Sequence, residues 1–327
     1  MKITYFFRHP KVGHSIHRVF RTILPELKKS YEMDIYDIPN IGSMPWDVMS
    51  NLWFTLKKRQ KSNIQHVTGH VHEVLLALIG FKTVLTIHDL VFLDNVKNPI
   101  KRMYKWLFWF YFPIKIADKI VCISEQTKQN ILSKINTNKL IVIHNAVDPI
   151  FEFHKKSFNQ EKPRILHIGT GWNKNLDRTI EALKDIPCHL NIIGKLQKTQ
   201  IELLELHKIE YSNDKNLTDL EIRDAYIACD IVNFPSIYEG FGMPVVEGQK
   251  TGRVVITSKI EPLIEVSNGA VAYVNPSDIE SIREAYMKVI FQKEYREQII
   301  ENGLKNIERF SVQFIAQKYK ELYQSFN

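Results

Sequence analysis

Cysteine is scarce in this sequence, and the few cysteines present are far apart. Cys122, Cys188 and Cys229 are the three cysteines among 327 residues, and each lies on or beside an apolar stretch. An odd number of cysteines without a regular spacing predicts free thiols in a reducing compartment rather than a disulfide framework. No Cys/His cluster has the spacing of a metal site, so the sequence does not predict a structural zinc.

Long apolar runs are also missing. No stretch approaches the ~20 apolar residues that a membrane-spanning helix needs. The N-terminal stretch Met1–Phe7 is followed at once by Arg8 and His9. It is therefore too short for a signal peptide, and we interpret it as a first strand. These absences predict a cytoplasmic protein.

Negative charge is scarce in the first half of the chain. Residues 1–150 contain 21 Lys and Arg against 11 Asp and Glu, a net charge of +10. Residues 151–327 contain 23 against 25, a net charge of −2, so the total of +8 is concentrated in the first half. A basic half predicts a contact with an anionic surface, either lipid or nucleic acid.

Apolar runs of strand length alternate with helical patterns along the chain. In the first half these runs are residues 3–7, 33–38, 64–68, 83–88, 119–124 and 140–144. In the second half they are residues 164–168, 190–193, 231–234, 254–257 and 271–274. The alternation predicts parallel sheets with crossover helices. The most polar break lies between Phe151 and Pro163, so we predict one α/β domain over residues 1–152 and a second over residues 163–310.

The most informative motif is EGFGMPVVE at residues 239–247. A strand pattern precedes it and a helix pattern follows it, so Glu239 is expected at the carboxyl edge of a strand, where open α/β sheets bind ligands. Gly240 and Gly242 allow backbone N–H groups to approach a ligand closely, and a helix start favours negative charge. Two carboxylates that accept hydrogen bonds from neighbouring hydroxyls suit a polyol such as ribose or a hexose. The alternative is an ordinary helix N-terminus with two surface glutamates.

This motif resembles the E-x7-E motif of the retaining glycosyltransferases of family 4. That family has the GT-B fold, in which two Rossmann-like doubly wound α/β domains face each other across a cleft. The resemblance implies that Glu239 contacts the donor sugar and that Glu247 contacts the ribose of a nucleotide-diphosphate sugar. It also implies that residues 311–327 form a C-terminal helix that crosses back to the N-terminal, acceptor-binding domain. Four backbone amides would bind the donor as well: those of Gly240, Phe241, Gly242 and Met243.

A second motif, RILHIGTGWNKNL at residues 164–176, has the pattern of a strand, a glycine turn and a helix. It half-resembles a dinucleotide-binding G-x-G-x-x-G loop, but Lys174 stands where the third glycine is expected, which disfavours a Rossmann oxidoreductase. A lysine at a helix start suits a phosphate. Lys174 matches the lysine of the family's glycine-turn signature, and we expect it to bind the donor with Gly171 and Asn173. Family members often have an arginine near this lysine, where this chain has Trp172 and Asn173.

Two positions in the first half also match the family. His88 ends a strand pattern and resembles the family's His-Asp motif, in which the histidine lies near the transferred sugar; the alternative is a packing or loop residue. We interpret Asp89 as an orienting partner or a cap. Gly13, in the loop after the first strand, fits the family's glycine turn near the donor phosphates. We therefore predict His88, Lys174 and Glu239 as the catalytic residues.

No Asp-x-Asp motif occurs in the chain, which disfavours a metal-dependent sugar transferase of the other common fold. The resemblance implies a metal-independent, retaining transfer to a hydroxyl, with no cofactor besides the donor substrate. A basic first domain suits a lipid-linked glycan acceptor at the inner face of the membrane, and family association points to bacterial O-antigen or capsule synthesis. The alternatives are a nucleotide-sugar epimerase of similar fold and, from a different class, a non-enzymatic nucleic-acid-binding protein.

The stretch Asn98–Pro113 shows two aromatic stripes when it is drawn as a helix. One stripe can pack on the sheet, and the other, formed by Trp106, Trp109 and Phe110, is predicted to contact an anionic membrane surface. Basic residues lie nearby in the sequence: Lys101, Arg102, Lys105 and Lys115. A second contact is predicted from a similar group: Trp53, Phe54, Lys57, Lys58 and Arg59. The alternative is a helix that is buried on both sides.

Overall fold

A computed structural model describes residues 1–12, 14–94 and 96–326. These residues divide into two compact units. The first unit comprises Met1–Ala146 together with Val312–Asn327, and the second comprises Val147–Ser311. The last helix of the chain therefore belongs to the same unit as the first strand.

Each unit contains one parallel sheet of six strands within the described residues. The first sheet is built from β1 (Lys2–Phe7), β2 (Glu32–Asp37), β3 (Ile64–Val67), β4 (Thr83–Ile87), β5 (Lys119–Cys122) and β6 (Leu140–Val142). The second is built from β7 (Arg164–Ile168), β8 (His189–Ile193), β9 (Glu210–Asp214), β10 (Ile231–Phe234), β11 (Val254–Ser258) and β12 (Ala272–Val274).

The strand orders are β2-β1-β3-β4-β5-β6 and β9-β8-β7-β10-β11-β12, and every paired strand runs parallel to its neighbour. Both are doubly wound orders in which the direction of winding reverses once. The reversal lies between β1 and β3 in the first sheet and between β7 and β10 in the second. The predicted class of two doubly wound α/β domains is confirmed.

Helices connect the strands. In the described part of the chain the α-helices are α1 (His14–Lys28), α2 (Pro45–Lys58), α3 (Val91–Asp94), α4 (Pro99–Lys105), α5 (Phe112–Ile116), α6 (Glu125–Leu132), α7 (Leu176–Ala182), α8 (Lys198–Leu206), α9 (Asp219–Ala228), α10 (Met243–Thr251), α11 (Leu263–Ser267), α12 (Ile279–Phe291), α13 (Lys293–Asn306) and α14 (Val312–Gln324). Central strands such as β4 and β10 are buried along their whole length, as expected for a parallel sheet with helices on both faces. None of the helices in the described ranges is long and apolar enough to cross a membrane.

A buried polar network holds α14 in the first unit. The hydroxyl of Tyr323 lies 2.7 Å from the hydroxyl of Tyr5 on β1 and 2.7 Å from Nδ1 of His66 on β3. The other ring nitrogen of His66 lies 2.8 Å from the hydroxyl of Thr86 on β4. One side chain of α14 thus satisfies polar groups of two strands that have no access to water.

The polar stretch that the sequence analysis interpreted as the domain boundary lies within the second unit. Lys156 forms an ion pair with the buried Asp230, whose two carboxylate oxygens also accept hydrogen bonds from the backbone N–H groups of Asn159, at 3.3 Å, and Arg164, at 2.8 Å. Lys156 in this stretch therefore pairs with a buried carboxylate. The first continuous segment of the first unit ends at Ala146.

The prediction that Trp109 and Phe110 face a membrane is wrong. Trp109 is 6% exposed and Phe110 is fully buried. They lie in a π-helical segment, Trp106–Tyr111, between α4 and α5, and Phe110 belongs to the core of the first unit. The stripe that was expected to face outward is therefore the one that packs inward. Trp106 is half-buried and stacks on Tyr111, with ring centroids 5.0 Å apart. For Trp109 and Phe110 the alternative of packing within the fold holds.

The network around Tyr323 predicts a specific stability effect. Tyr323→Phe removes one hydroxyl and leaves buried partners on β1 and β3 without it, so the free energy of unfolding should fall by about 1–3 kcal/mol. Urea unfolding measures this change. Tyr31→Phe is the matched control, because the Tyr31 hydroxyl makes a longer, part-buried bond of 3.3 Å to the Lys320 carbonyl, and its loss should cost about 0.5 kcal/mol. Equal losses in the two variants would contradict the assignment.

Candidate active site

Two loops meet at the point where the second sheet reverses its winding. One follows β7 and begins at Gly169; the other follows β10 and begins at Pro235. The strands pair directly, with Ile165 opposite Ile231, so both loops leave the same carboxyl edge. A hydrogen bond of 2.8 Å from the N–H of Ile237 to the carbonyl of Asn173 joins them. This edge is where doubly wound sheets bind ligands.

The junction brings together three of the predicted site residues. The Lys174 ammonium lies 2.6 Å from Oε1 of Glu239, and the side-chain amide of Asn173 donates to the same oxygen at 3.4 Å. Asn173 also donates to the Tyr238 carbonyl at 3.1 Å, and Lys174 Nζ lies 4.5 Å from the centre of the Phe234 ring. The side chain of Lys174 is 23% exposed to solvent and that of Glu239 is 13% exposed. A cation and a carboxylate are therefore held together at a partly open edge.

Lys174 occupies a different element from the one predicted. It ends a short 3-10 turn, Trp172–Lys174, that Gly171 precedes, whereas α7 begins only at Leu176. Gly169 has a positive φ of +93°, and a Cβ there would lie 2.8 Å from Cγ of Lys174. A larger residue at Gly169 would displace the stem of Lys174 as well as strain the backbone.

Asn175 is a site residue that the sequence analysis missed. It adopts the left-handed conformation, with φ +61°, and its side-chain amide donates to the Pro235 carbonyl at 3.0 Å and to the Pro276 carbonyl at 2.7 Å. It therefore ties the loop after β7 to the loop after β10. The signal was available, since asparagine is the residue besides glycine that most readily adopts this conformation.

The rest of the E-x7-E stretch is mostly buried. Phe241 is 4% exposed and packs edge-to-face on Phe310, with ring centroids 5.8 Å apart, so its side chain belongs to the core. Glu247 lies on α10, which begins at Met243; it is 3% exposed, and its Oε2 accepts a hydrogen bond from the Tyr226 hydroxyl at 2.7 Å. Gly240 is half-buried and leads into the Gly242 turn.

His88 stands at the carboxyl edge of the first sheet, directly after β4. It is 7% exposed, and its Nε2 lies 2.9 Å from the Thr68 carbonyl. A carbonyl can only accept, so Nε2 is the donor. Burial lowers the pKa of His88 from the usual 6.5, which favours the neutral ring with Nδ1 as an acceptor. Gly69 permits this arrangement, because a Cβ there would lie 2.6 Å from the His88 ring.

His70 is a neighbour of His88 that was not predicted from the sequence. His70 stacks on it, with ring centroids 6.1 Å apart and an interplanar angle of 14°. Oδ1 of Asp89 accepts a hydrogen bond from the N–H of Val91, the first residue of α3, at 3.0 Å, and its Oδ2 lies 3.7 Å from Nε2 of His70. Burial lowers the pKa of His70 to about 3. Gly13 lies outside the described residues, so its predicted role stays a prediction.

No metal centre is found in residues 1–12, 14–94 and 96–326: none of their His, Cys, Asp and Glu side chains form a group of three or more that could hold an ion.

The turn before α10 predicts a test of its own. Gly242 has φ +104°, and a Cβ there would lie 2.4 Å from Cδ2 of Leu263. Gly242→Ala should therefore lower the free energy of unfolding by about 1–2 kcal/mol of backbone strain plus about 1–3 kcal/mol of overpacking. Gly269→Ala is the control, because Gly269 has φ +78° but no described atom within 4 Å of the added carbon; it should show the strain alone. Urea unfolding distinguishes them, and equal costs would show that the Leu263 contact relaxes freely.

Two family models match the chain, one after the other. The model described as Glycosyltransferase Family 4 matches residues 8–151, and the model described as Glycosyl transferases group 1 matches residues 149–306. Together they cover all the strands of the described residues except β1, which precedes the first match.

Curated proteins are similar over most of the chain. An uncharacterised glycosyltransferase of Methanocaldococcus jannaschii is 29% identical over 79% of this chain and 73% of its own length. The O-antigen chain mannosyltransferase of Salmonella typhimurium is 26% identical over 78% of this chain and 76% of its own. The UDP-Gal:alpha-D-GlcNAc-diphosphoundecaprenol alpha-1,3-galactosyltransferase of Escherichia coli is 27% identical over 83% of this chain and 77% of its own.

Solved structures share the architecture. Sucrose-phosphate synthase from Thermosynechococcus elongatus superposes with a TM-score of 0.81 at 15% identity, over 100% of this chain and 99% of its own. An Anabaena protein in complex with UDP and glucose superposes with a TM-score of 0.76 at 14% identity, over 99% of this chain and 100% of its own. At these identities the likeness establishes the fold, which is GT-B. The fold, the two family models and the curated relatives agree: the chain belongs to glycosyltransferase family 4.

Proposed function

We propose that this glycosyltransferase moves a sugar from a nucleotide-diphosphate sugar to a hydroxyl of a lipid-linked glycan, with retention at the anomeric carbon and without a metal ion. The observation on which the proposal depends is the contact between Lys174 and Glu239, 2.6 Å apart, at the winding reversal of the second sheet. A cation for a diphosphate and a carboxylate for sugar hydroxyls are thereby present at the edge where such sheets bind nucleotides.

The demanding step is departure of the diphosphate while positive charge develops on the anomeric carbon. We assign Lys174 to the leaving phosphate, together with the backbone N–H groups near Gly171 and the side-chain amide of Asn173. Such preorganised donors stabilise developing charge without reorganising during the reaction. Gly13 would add backbone donors from the loop after β1.

The carboxylates position the donor rather than attack it. Glu239 would accept hydrogen bonds from sugar hydroxyls, and the amides from Gly240 to Met243 would hold the same group. Phe241 would contribute its N–H only, because its ring lies in the core. We assign the ribose to Glu247, whose carboxylate is oriented by the Tyr226 hydroxyl at 2.7 Å.

Retention needs attack on the face that the phosphate leaves. We propose that a leaving-phosphate oxygen accepts the proton of the attacking hydroxyl, so no separate carboxylate base is required. His88 is assigned to the transferred sugar. Its Nε2 donates to the Thr68 carbonyl at 2.9 Å. Its Nδ1 would then be unprotonated and could accept a hydrogen bond from a sugar hydroxyl.

The curated relatives support a glycan acceptor. The relative from Salmonella typhimurium is named for the O-antigen chain, and the galactosyltransferase from Escherichia coli is named for transfer to GlcNAc-diphosphoundecaprenol. We therefore propose that this protein acts in the cytoplasm, in the synthesis of a cell-surface polysaccharide. The same comparisons favour transfer over epimerisation, since the matched relatives with an activity in their names are transferases.

A peripheral contact with the membrane is also proposed, through a different surface from Trp109 and Phe110. On α2, four exposed side chains repeat at helical spacing: Trp46, Met49, Trp53 and Leu56 are 65%, 65%, 61% and 39% exposed. Lys57 Nζ lies 4.9 Å from the Trp53 ring, and Lys58 follows. Apolar and aromatic side chains bordered by lysines suit an anionic lipid surface. This stripe also favours lipid over nucleic acid as the partner of the basic first half.

Lys174→Ala and Glu239→Ala should each lower the rate of transfer at least 100-fold, because each removes a group assigned to the transition state. Release of the nucleotide diphosphate and formation of product, measured with a panel of UDP- and GDP-sugars, checks this. Lys198→Ala is the control, since Lys198 is 91% exposed on α8; it should retain full activity. Circular dichroism verifies that all variants are folded, and normal transfer by a folded Lys174→Ala protein would reject the site.

Trp46→Ser/Trp53→Ser should weaken sedimentation with vesicles of phosphatidylglycerol at low salt by at least 10-fold, because it removes the two large aromatics of the α2 stripe. Trp172→Ser removes an equally exposed tryptophan, 65%, from the second unit and should bind vesicles normally. Failure of the unaltered protein to sediment, or equal loss in both variants, contradicts the membrane contact.

A further inference from the structure

A cavity of about 500 Å³ opens on the surface of the first unit. Its described lining residues lie between positions 93 and 134, so they belong to other elements than α2. Its walls come from α3, α4, the start of the π-helical segment and the turn after α6. Six residues line it: Leu93, Pro99, Arg102, Met103, Trp106 and Lys134. The volume lies in the range of about 300–1,000 Å³ that is usual for small-molecule sites.

The chemistry of the walls is amphiphilic. Of these six described side chains, four are apolar and two are cationic. Leu93 is 3% exposed and forms the buried wall, whereas Met103 is 59% exposed at the rim. Arg102 offers a planar fork that pairs with phosphate oxygens, and Lys134 adds a second positive charge. Such a cavity fits a hydrocarbon chain attached to a phosphate.

The elements that build the cavity also hold the predicted catalytic histidine. Leu93 lies on α3, and its N–H donates to the carbonyl of Leu90, two residues after His88, at 2.8 Å. Lys134 follows α6, and the hydroxyl of Thr127 on α6 donates to the His88 carbonyl at 3.4 Å. A ligand in the cavity would therefore contact the same short connection from which His88 extends.

We propose that this cavity binds the prenyl chain and adjoining phosphate of a lipid-diphosphate acceptor. The apolar wall takes the first part of the chain, and Arg102 and Lys134 take the phosphate. This inference rests on the proposed function, because it assigns the acceptor of that reaction. It explains why Trp106 is half-buried in a wall rather than fully packed in the core with its neighbours Trp109 and Phe110.

Direct binding tests the cavity without requiring transfer. Farnesyl diphosphate is the probe, and binding to the full chain is measured by calorimetry. Met103→Trp fills the cavity and Arg102→Glu reverses a charge, so each should weaken binding at least 10-fold. Lys101→Glu, a neighbouring charge that does not line the cavity, should leave binding within twofold. No saturable binding to the unaltered protein, or equal weakening by Lys101→Glu, overturns the proposal.

Kinetics with three acceptors then separates chain from phosphate. The same glycan is presented on a prenyl diphosphate, on a diphosphate without the chain, and on a short uncharged alkyl group. Met103→Trp should raise KM at least 10-fold for the first acceptor alone, whereas Arg102→Glu should raise KM for the first two. Equal losses on all three acceptors would overturn the assignment. If the unaltered protein uses none of them but binds farnesyl diphosphate as expected, the proposed transfer fails while binding of a prenyl diphosphate in the cavity stands.

Discussion

The site depends on one constraint, which is that two loops separated by more than sixty residues leave adjacent strands of the same sheet in the same direction. Because β7 and β10 are parallel neighbours, Lys174 and Glu239 reach each other at 2.6 Å. The bond from Ile237 to Asn173 and the side chain of Asn175 fix the two loops against each other. Without this pairing the lysine and the glutamate would be two unrelated surface charges.

Much of the fold could be predicted because the strands of parallel sheets have a clear pattern in the sequence. Strands buried on both faces appear as apolar runs, and all but one of the twelve strands in the described residues were predicted from such runs. The exception is β9, Glu210–Asp214, which lies at the edge of the sheet and is largely polar. An edge strand with one neighbour and an exposed face has no apolar run to detect.

The failures have equally specific causes. The segment after α4 has two aromatic stripes, and composition does not tell which one packs inward; in the structure Trp109 and Phe110 do. The polar stretch around Lys156 belongs to the second unit, where Lys156 pairs with the buried Asp230. In both cases composition alone could not reveal what tertiary contacts require. Asn175 differs, because asparagine readily adopts the left-handed conformation and so signals a turn, but its bonds to two distant carbonyls depend on the fold.

The first unit is discontinuous in the chain, and this affects its synthesis. Residues 1–146 emerge from the ribosome before α14 is synthesised. In the folded unit, however, Tyr5 and His66 contact the hydroxyl of Tyr323 on α14. Until then the nascent sheet exposes the apolar surface that Tyr319 and Leu322 will cover. The first unit therefore cannot complete its packing until α14 has been synthesised, whereas the second unit folds from one continuous segment. Truncation of the last few residues would consequently destabilise the first unit, at the N-terminus of the chain, more than the second.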